Sequence, residues 1–341
     1  MKIVLISGSY PPQVCGVGDY TRNLFDASGE GNWVLYTSND WRLRSLRKHI
    51  RSVSDLRPDA VVLQYPTQGY GWSIVPHLIG IYYSCSPRVK FTLALHEFSQ
   101  MSLKARMALW ALLACVQSVI FTSRYEASFG VKTLSRLRNR HAVIPIKYNL
   151  EPVSKIRSFA ERVRDVCYFG QIRPNKGVEQ FVHDCKDLMK RQAGLSIYIV
   201  GQIPEGYESY LQSVQRLIEG TSIQIVANLE SAKATDFLNE CKVAYLPFPD
   251  GISERRGSFL AAISNGLAVV SCAGEFVSSE LRCAFHDADR DPSAAILRLL
   301  HSTPEQYAEI QERGFEYLKK NVPESWAQIS NLYEDFIARS S

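Results

Sequence analysis

Short apolar runs, rich in β-branched residues, recur along the chain at 3–6, 34–36, 60–63, 91–95, 119–121 and 142–146, with helical spacing between them. After Pro145, Pro152 and a charged link the rhythm restarts at 166–169, 196–200, 223–226, 243–246 and 268–271. Nearly all-apolar strands alternating with helices predict parallel sheets covered on both faces, and two such series predict two α/β domains with a boundary near residues 150–160. Sheets of this kind bind ligands beyond the carboxyl ends of their strands, so the loops after strands are where chemistry is expected.

Helical spacing also runs from Trp41 to Arg57: Leu43, Leu46, Ile50 and Val53 form a stripe, with Arg42, Arg44, Arg47, Lys48 and Arg51 on the other faces. The plain reading is a surface helix packed on the sheet; the sharper one is contact with anionic lipid head groups. The most apolar long stretch, 101–121, carries Lys104 and Arg106 near its start, which leaves too short a run to span a membrane. The opening MKIVLISG reads as a first strand rather than a signal peptide.

Length and composition agree with this picture. At 341 residues, 46% apolar and 21% charged, the chain suits two ordinary folded domains, without a repeat or low-complexity tract. A net charge of +5 is too mild for a dedicated nucleic-acid binder and is compatible with anionic ligands. The eight cysteines never approach the spacing of zinc or redox motifs and read as buried, reduced thiols.

Three strand-to-helix segments carry chemistry. The first strand leads into Ser7-Gly8-Ser9-Tyr10-Pro11-Pro12 and then Gly16-Val17-Gly18-Asp19-Tyr20, a glycine turn whose amides can approach an anion. It matches neither the dinucleotide fingerprint nor the Walker loop, and a plain tight turn competes with the ligand reading. In the second series Phe169-Gly170-Gln171-Ile172-Arg173-Pro174-Asn175-Lys176-Gly177 sets two cations before a helix beginning near Val178, a pocket suited to a diphosphate. The third segment, 246–270, is a polar loop containing Ser253, Glu254, Arg255 and Arg256 that feeds a small-residue helix starting at Gly257-Ser258 and ending at Gly266.

In their order and spacing these segments resemble the retaining glycosyltransferases of family 4, of the GT-B class, over nearly the whole chain. The resemblance implies two Rossmann-like domains facing a central cleft that holds the active site. It implies an acceptor-side domain at 1–152, with the helix 324–341 folding back on it, and a donor-binding domain at 153–323. The expected reaction moves a sugar from a nucleotide-sugar donor to a glycan or lipid-linked glycan acceptor, with retention, in polysaccharide biosynthesis. The expected setting is cytoplasmic, with peripheral contact at the inner face of the membrane through 41–57.

Carried over residue by residue, Lys176 matches the lysine that grips the donor diphosphate. Gln171 stands where the partner arginine usually lies, and Arg173 substitutes for it. His96, after the strand 91–95, matches a histidine beside the transferring sugar; a lone histidine there is otherwise structural. Gly16, Gly18, Gly170, Glu254, Arg255, Arg256, Gly257 and Ser258 fall on the donor side. Asp19, Tyr20, Gln64, Tyr65, Tyr70 and Glu97 fall on the acceptor side, where the loop from Gln64 to Trp72 combines aromatic faces with amides, or alternatively packs as a buried Tyr/Trp cluster.

The chain departs from the pattern where the family usually has two glutamates separated by seven residues. The second position is Ala261 and the first is Ser253, with Glu254 one place along. Loss of the ribose contact points to a pseudoenzyme, another ribose contact, or a donor lacking the 2′-hydroxyl, such as a dTDP-sugar, beside the UDP- and GDP-linked ones. No resident cofactor and no metal are expected; the alternating Asp287, Asp289 and Asp291 fall late and read as a solvated loop. A GT-B sugar-nucleotide epimerase and a nucleotide-sugar-binding scaffold without turnover are the rival readings.

Overall fold

The computed structural model describes residues 1–29, 31–288 and 290–340. The chain divides into two units, 1–146 with 323–341, and 147–322. In the first unit β1 (Ile3–Ser7), α1 (Gly16–Asp26), β2 (Trp33–Thr37), α2 (Leu46–Asp55), β3 (Ala60–Tyr65) and α3 (Val75–Ser84) alternate. They are followed by β4 (Lys90–Leu95), α4 (Leu103–Cys115), β5 (Ser118–Phe121), α5 (Arg124–Thr133) and β6 (His141–Val143). All pairings are parallel and the strand order is β2-β1-β3-β4-β5-β6.

Alternation along the strands decides which helices cover which face. Val4 and Ile6, Val61 and Leu63, and Phe91, Leu93 and Leu95 enter one core with Val53 of α2, Val75, Ile79 and Tyr83 of α3, and Leu109, Leu112 and Leu113 of α4. Ile3 and Leu5, Ala60 and Val62, Ala94 and Ile120 enter the other with Tyr20 and Leu24 of α1. That second core is completed by Ile329, Tyr333 and Ile337 from the end of the chain.

The second unit repeats the plan with β7 (Arg164–Phe169), α6 (Val178–Arg191), β8 (Ile197–Gly201), α7 (Glu208–Ile218), β9 (Ile223–Ala227), α8 (Ser231–Asn239) and β10 (Cys241–Leu246). It continues with α9 (Gly257–Ser264), β11 (Ala268–Ser271), α10 (Ser279–Arg282), β12 (His286–Asp287), α11 (Pro292–Leu300) and α12 (Pro304–Asn321). The strand order is β12-β11-β10-β7-β8-β9, again parallel. Val166, Tyr168, Ile197, Ile199, Val243, Tyr245, Ala268 and Val270 meet α6 and α11 in its main core. The chain then returns to the first unit as α13 (Trp326–Arg339), where Tyr333 Oη accepts from Tyr20 Oη at 3.1 Å and Glu334 from Trp33 Nε1 at 2.6 Å.

The stripe of α2 packs inward through Leu46, Ile50 and Val53, so its cations and not its apolar side face water. No helix among the described residues is long and apolar enough to cross a membrane. Two expectations need correcting. All eight cysteines are free, but only Cys15, Cys167, Cys185 and Cys241 are buried, and Cys85 and Cys283 are exposed because they sit in turns that follow a helix or close a short one. The aspartates of 287–291 do separate jobs: Asp287 accepts from Arg282, Asp291 caps α11 and pairs with Arg191, and Asp289 lies outside the described residues.

Candidate functional site

Each sheet has one point where the chain reverses its direction of travel, and at such a point the two loops leaving adjacent strands diverge and open a crevice. In the second unit it lies between β7 and β10, whose outgoing loops are 170–177 and 247–256. They touch through glycine. A Cβ on Gly177 would lie 2.1 Å from Pro247 O, and Gly177 has φ +86°, so this turn takes no side chain.

The cation loop is braced from beneath by the buried Tyr168, whose hydroxyl meets Gln171 O at 3.2 Å and Lys176 O at 3.1 Å. Burial pushes that phenol up, against the opposing pull of the Arg173 and Arg256 charges. Arg173 Nε donates to Gln171 Oε1 at 2.8 Å, so Gln171 orients the guanidinium. Across the crevice Arg256 pairs with Asp250 and lies 4.6 Å from the Phe248 ring centroid, and Glu254 accepts from Ser278 Oγ at 3.0 Å. Ser253 is buried. Gly257 has open space where a Cβ would stand, so the amide-rich start of α9 is unobstructed. Two cations, further charge from Arg255 and Arg256, and a helix N-terminus around one crevice suit a diphosphate. Gly170, Ser258 and the buried Ala261 lie on the same two segments. A separate cavity of about 560 Å³, lined by Lys155, Arg157, Asp236 and Asn239, opens beside the opposite ends of these strands.

In the first unit the reversal lies between β1 and β3. The loop after β1 is pressed against the loop after β3. A Cβ on Gly69 would lie 1.8 Å from Gly8 O, and Gly69 N donates to Ser9 Oγ at 2.7 Å. Gly18 brings α1 onto the same loop, with Ser9 carbonyl atoms 3.2 Å from where its Cβ would be, whereas Gly16 borders open space. Asp19, in the first turn of α1, is half-buried, and burial pushes its carboxyl up to about 6 against the pull of Arg22.

His96 follows β4 directly, is buried, and meets Gln64 Oε1 through Nε2 at 2.6 Å; since a carboxamide oxygen only accepts, Nε2 carries the proton. Tyr20 packs edge-on to it at 5.0 Å. Tyr20 and Tyr70 were expected at the acceptor, but both side chains are buried in the unit. Tyr20 lies among His96, Trp326 and Tyr333, and Tyr70 against Trp41 and Tyr65, because their loops are tied down at Gly18 and Gly69. What they do directly is hold His96 and the 64–70 loop. Tyr65 is half-buried and Glu97 exposed.

Glu126 was missed. Its buried carboxylate accepts from Phe98 N and Ser99 N at 2.9 Å and from Ser99 Oγ at 2.5 Å, fixing the loop that carries His96 and Glu97. The only sequence signal is Ser123-x-x-Glu126, a helix-start pattern in which Ser123 Oγ accepts from Glu126 N.

Residues 163–302 match the family model described as Glycosyl transferases group 1. No curated protein sequence matches the chain. Among solved structures, sucrose-phosphate synthase from Thermosynechococcus elongatus is similar at TM-score 0.73 and 16% identity, covering 100% of both chains. HepE from Anabaena, in complex with UDP and glucose, is similar at TM-score 0.70 and 14% identity, covering 99% of each. An α-glucosyltransferase in complex with UDP-glucose and DNA containing an abasic site is similar at TM-score 0.65 and 12% identity, covering 99% of this chain and 98% of that one. The matched segment contains both loops of the β7/β10 crevice, and the two six-stranded parallel sheets follow these structures end to end, which gives the chain the GT-B fold with a second unit similar to the glycosyl transferases of group 1.

Proposed function

We propose that the chain transfers a sugar from a nucleotide-sugar donor to a glycan or lipid-linked glycan acceptor with retention, the second unit holding the donor and the first the acceptor. The observation that carries the reading is the β7/β10 crevice, whose two outgoing loops bear Arg173 and Lys176 on one side and the open start of α9 on the other, an arrangement that supports a diphosphate ligand. UDP and UDP-glucose in the complexes of similar structures support a ligand of this class.

Cleaving a glycosyl phosphate builds negative charge on the departing diphosphate and positive charge on the ring. Fixed cations and helix amides stabilise that transition state more than the ground state. Arg173 and Lys176 take this role, with Gly257 and Ser258 supplying amides and Arg255 and Arg256 adding positive potential. His96, held in one tautomer by Gln64, orients the donor sugar; Asp19 and Glu97 contact the acceptor. The acceptor attacks from the leaving-group face, so no side-chain nucleophile and no metal enter this scheme.

A thermal-shift screen of UDP-, GDP-, ADP- and dTDP-sugars tests the donor, because a ligand that binds only the folded state raises its apparent stability. With Ala261 in place of the second glutamate, a dTDP-sugar is expected to match or exceed a UDP-sugar. Lys176→Ala is expected to lower kcat/KM for donor hydrolysis or transfer on the order of a hundredfold. Unchanged turnover would remove Lys176 from the site, and donor binding without any turnover would favour a scaffold.

A further inference from the structure

Helix α4 is apolar nearly all round, a composition that belongs either in a core or against lipid. Only one side of it is covered. Leu109, Leu112 and Leu113 enter the core, while Leu103, Met107 and Trp110, at spacings of four and three, stand 67%, 68% and 53% exposed. Helix α3 packs against α4 and α2 against α3 on the same face of the sheet. At the starts of those two helices stand more exposed apolar side chains: Leu43 ahead of α2, and Trp72, 96% exposed, with Ile74 ahead of α3. The loop bearing Trp72 is tied to the start of α2, since Ser73 Oγ donates to Trp41 O. The exposed apolar residues thus gather where three neighbouring helices begin.

Charge selects the occupant. The first unit has 18 Lys and Arg against 11 Asp and Glu, and within residues 40–140, which form the helices of this face, the numbers are 15 and 5. Arg44 just ahead of α2, Arg47 and Lys48 of α2 and Lys104 of α4 are exposed to water beside the patch. Exposed tryptophans and aliphatics ringed by cations match the boundary of an anionic bilayer, where rings sit at the head groups and cations gain from the surface potential. We infer that this face of the first unit docks on an anionic membrane surface, with α4 and the Trp72 loop inserting and α2 supplying the electrostatic attraction.

The test is co-sedimentation of the full chain with vesicles of phosphatidylcholine alone or mixed with phosphatidylglycerol. The wild type is expected to pellet with the mixed vesicles, less so at high salt, and to remain in solution with neutral ones. Met107→Glu with Trp110→Glu is expected to lower partitioning by on the order of a hundredfold, since it removes two inserting side chains and adds two charges of the lipid's own sign. Both sites are exposed, so the circular dichroism and unfolding transition should match the wild type. Leu332→Glu, a comparable change on α13 at the other face of the sheet, should bind as the wild type does. Absence of binding to mixed vesicles, equal binding to neutral ones, or undiminished binding of the double variant overturns the inference. So does a wild-type dimer in sedimentation velocity that the double variant abolishes without any vesicle binding, which would give the patch to a second copy. The assay needs no turnover, so its outcome is independent of the transfer reading.

Discussion

Asp19 is expected to weaken the fold at neutral pH, and replacing it should reveal by how much. It sits in the first turn of α1, and burial lifts its pKa from 3.8 to about 6 despite Arg22. Below about pH 3 the group is protonated in both the folded and the unfolded chain and costs nothing. As pH rises the unfolded chain releases its proton first, so stability falls until the folded form also ionises near pH 6, and the deficit is constant above about pH 7. A rise of that size corresponds to about 3 kcal/mol; because the carboxyl is only half-buried, screening by water brings the expectation to about 2 kcal/mol. Asp19→Asn cannot ionise. It should melt about 5 °C above the wild type at pH 7.5 for a unit of this size, equal it at pH 3, and lose transfer activity. Thermal unfolding followed by circular dichroism at the two pH values checks this. A variant no more stable at pH 7.5, or equally stabilised at both, refutes the assignment of a strained carboxylate.

The buried Arg162 should be the costliest cation to remove. It donates to Cys241 O at 2.6 Å, Asn265 O at 2.8 Å and Arg157 O at 3.2 Å, and Arg162→Met, which strands those carbonyls at the start of β10, the end of α9 and the segment before β7, should cost about 3 kcal/mol in urea unfolding of the second unit. A loss under about 1 kcal/mol would contradict that. Gly69→Ala should fail to give a folded first unit, because its Cβ would overlap Gly8 O, whereas Gly16→Ala should be neutral or stabilising by about 0.5 kcal/mol; the two melting curves decide. Glu126→Gln should speed hydrogen exchange at Phe98 N and Ser99 N by roughly tenfold or more and lower kcat. Unchanged exchange would show that the loop does not depend on the carboxylate.

Among the described residues eleven of the twelve strands are readable as apolar runs, because strands buried on both faces must be apolar throughout. β12 is not, since two residues pairing only with β11 leave no pattern. The helix starts at Val178 and Gly257 were readable from the cation loop and the small residues beside them. α1 starts at Gly16, inside the segment 16–20 that reads as a glycine turn, because glycines look like loop until the contact of Gly18 with Ser9 is known. Aromatic content could not tell a ring that faces a ligand from one that faces a core, which is why Tyr20 and Tyr70 were read as acceptor contacts. Glu126 and Arg162 act on partners far away in sequence, at Phe98 and Ser99 and at Cys241 and Asn265, and residue type alone carries no record of such pairings.

The return of α13 has a consequence for the order in which the protein is made. The second face of the first sheet, covered only in part by α1, stays open until Ile329, Tyr333 and Ile337 have been synthesised, although every strand of that sheet is present by residue 143. The second unit lies wholly within 147–322 and can close while the ribosome is still working. The half of the molecule that begins first is therefore finished last, and a message truncated near residue 322 should yield one sound unit joined to a sheet with an open greasy side, a ready substrate for chaperones.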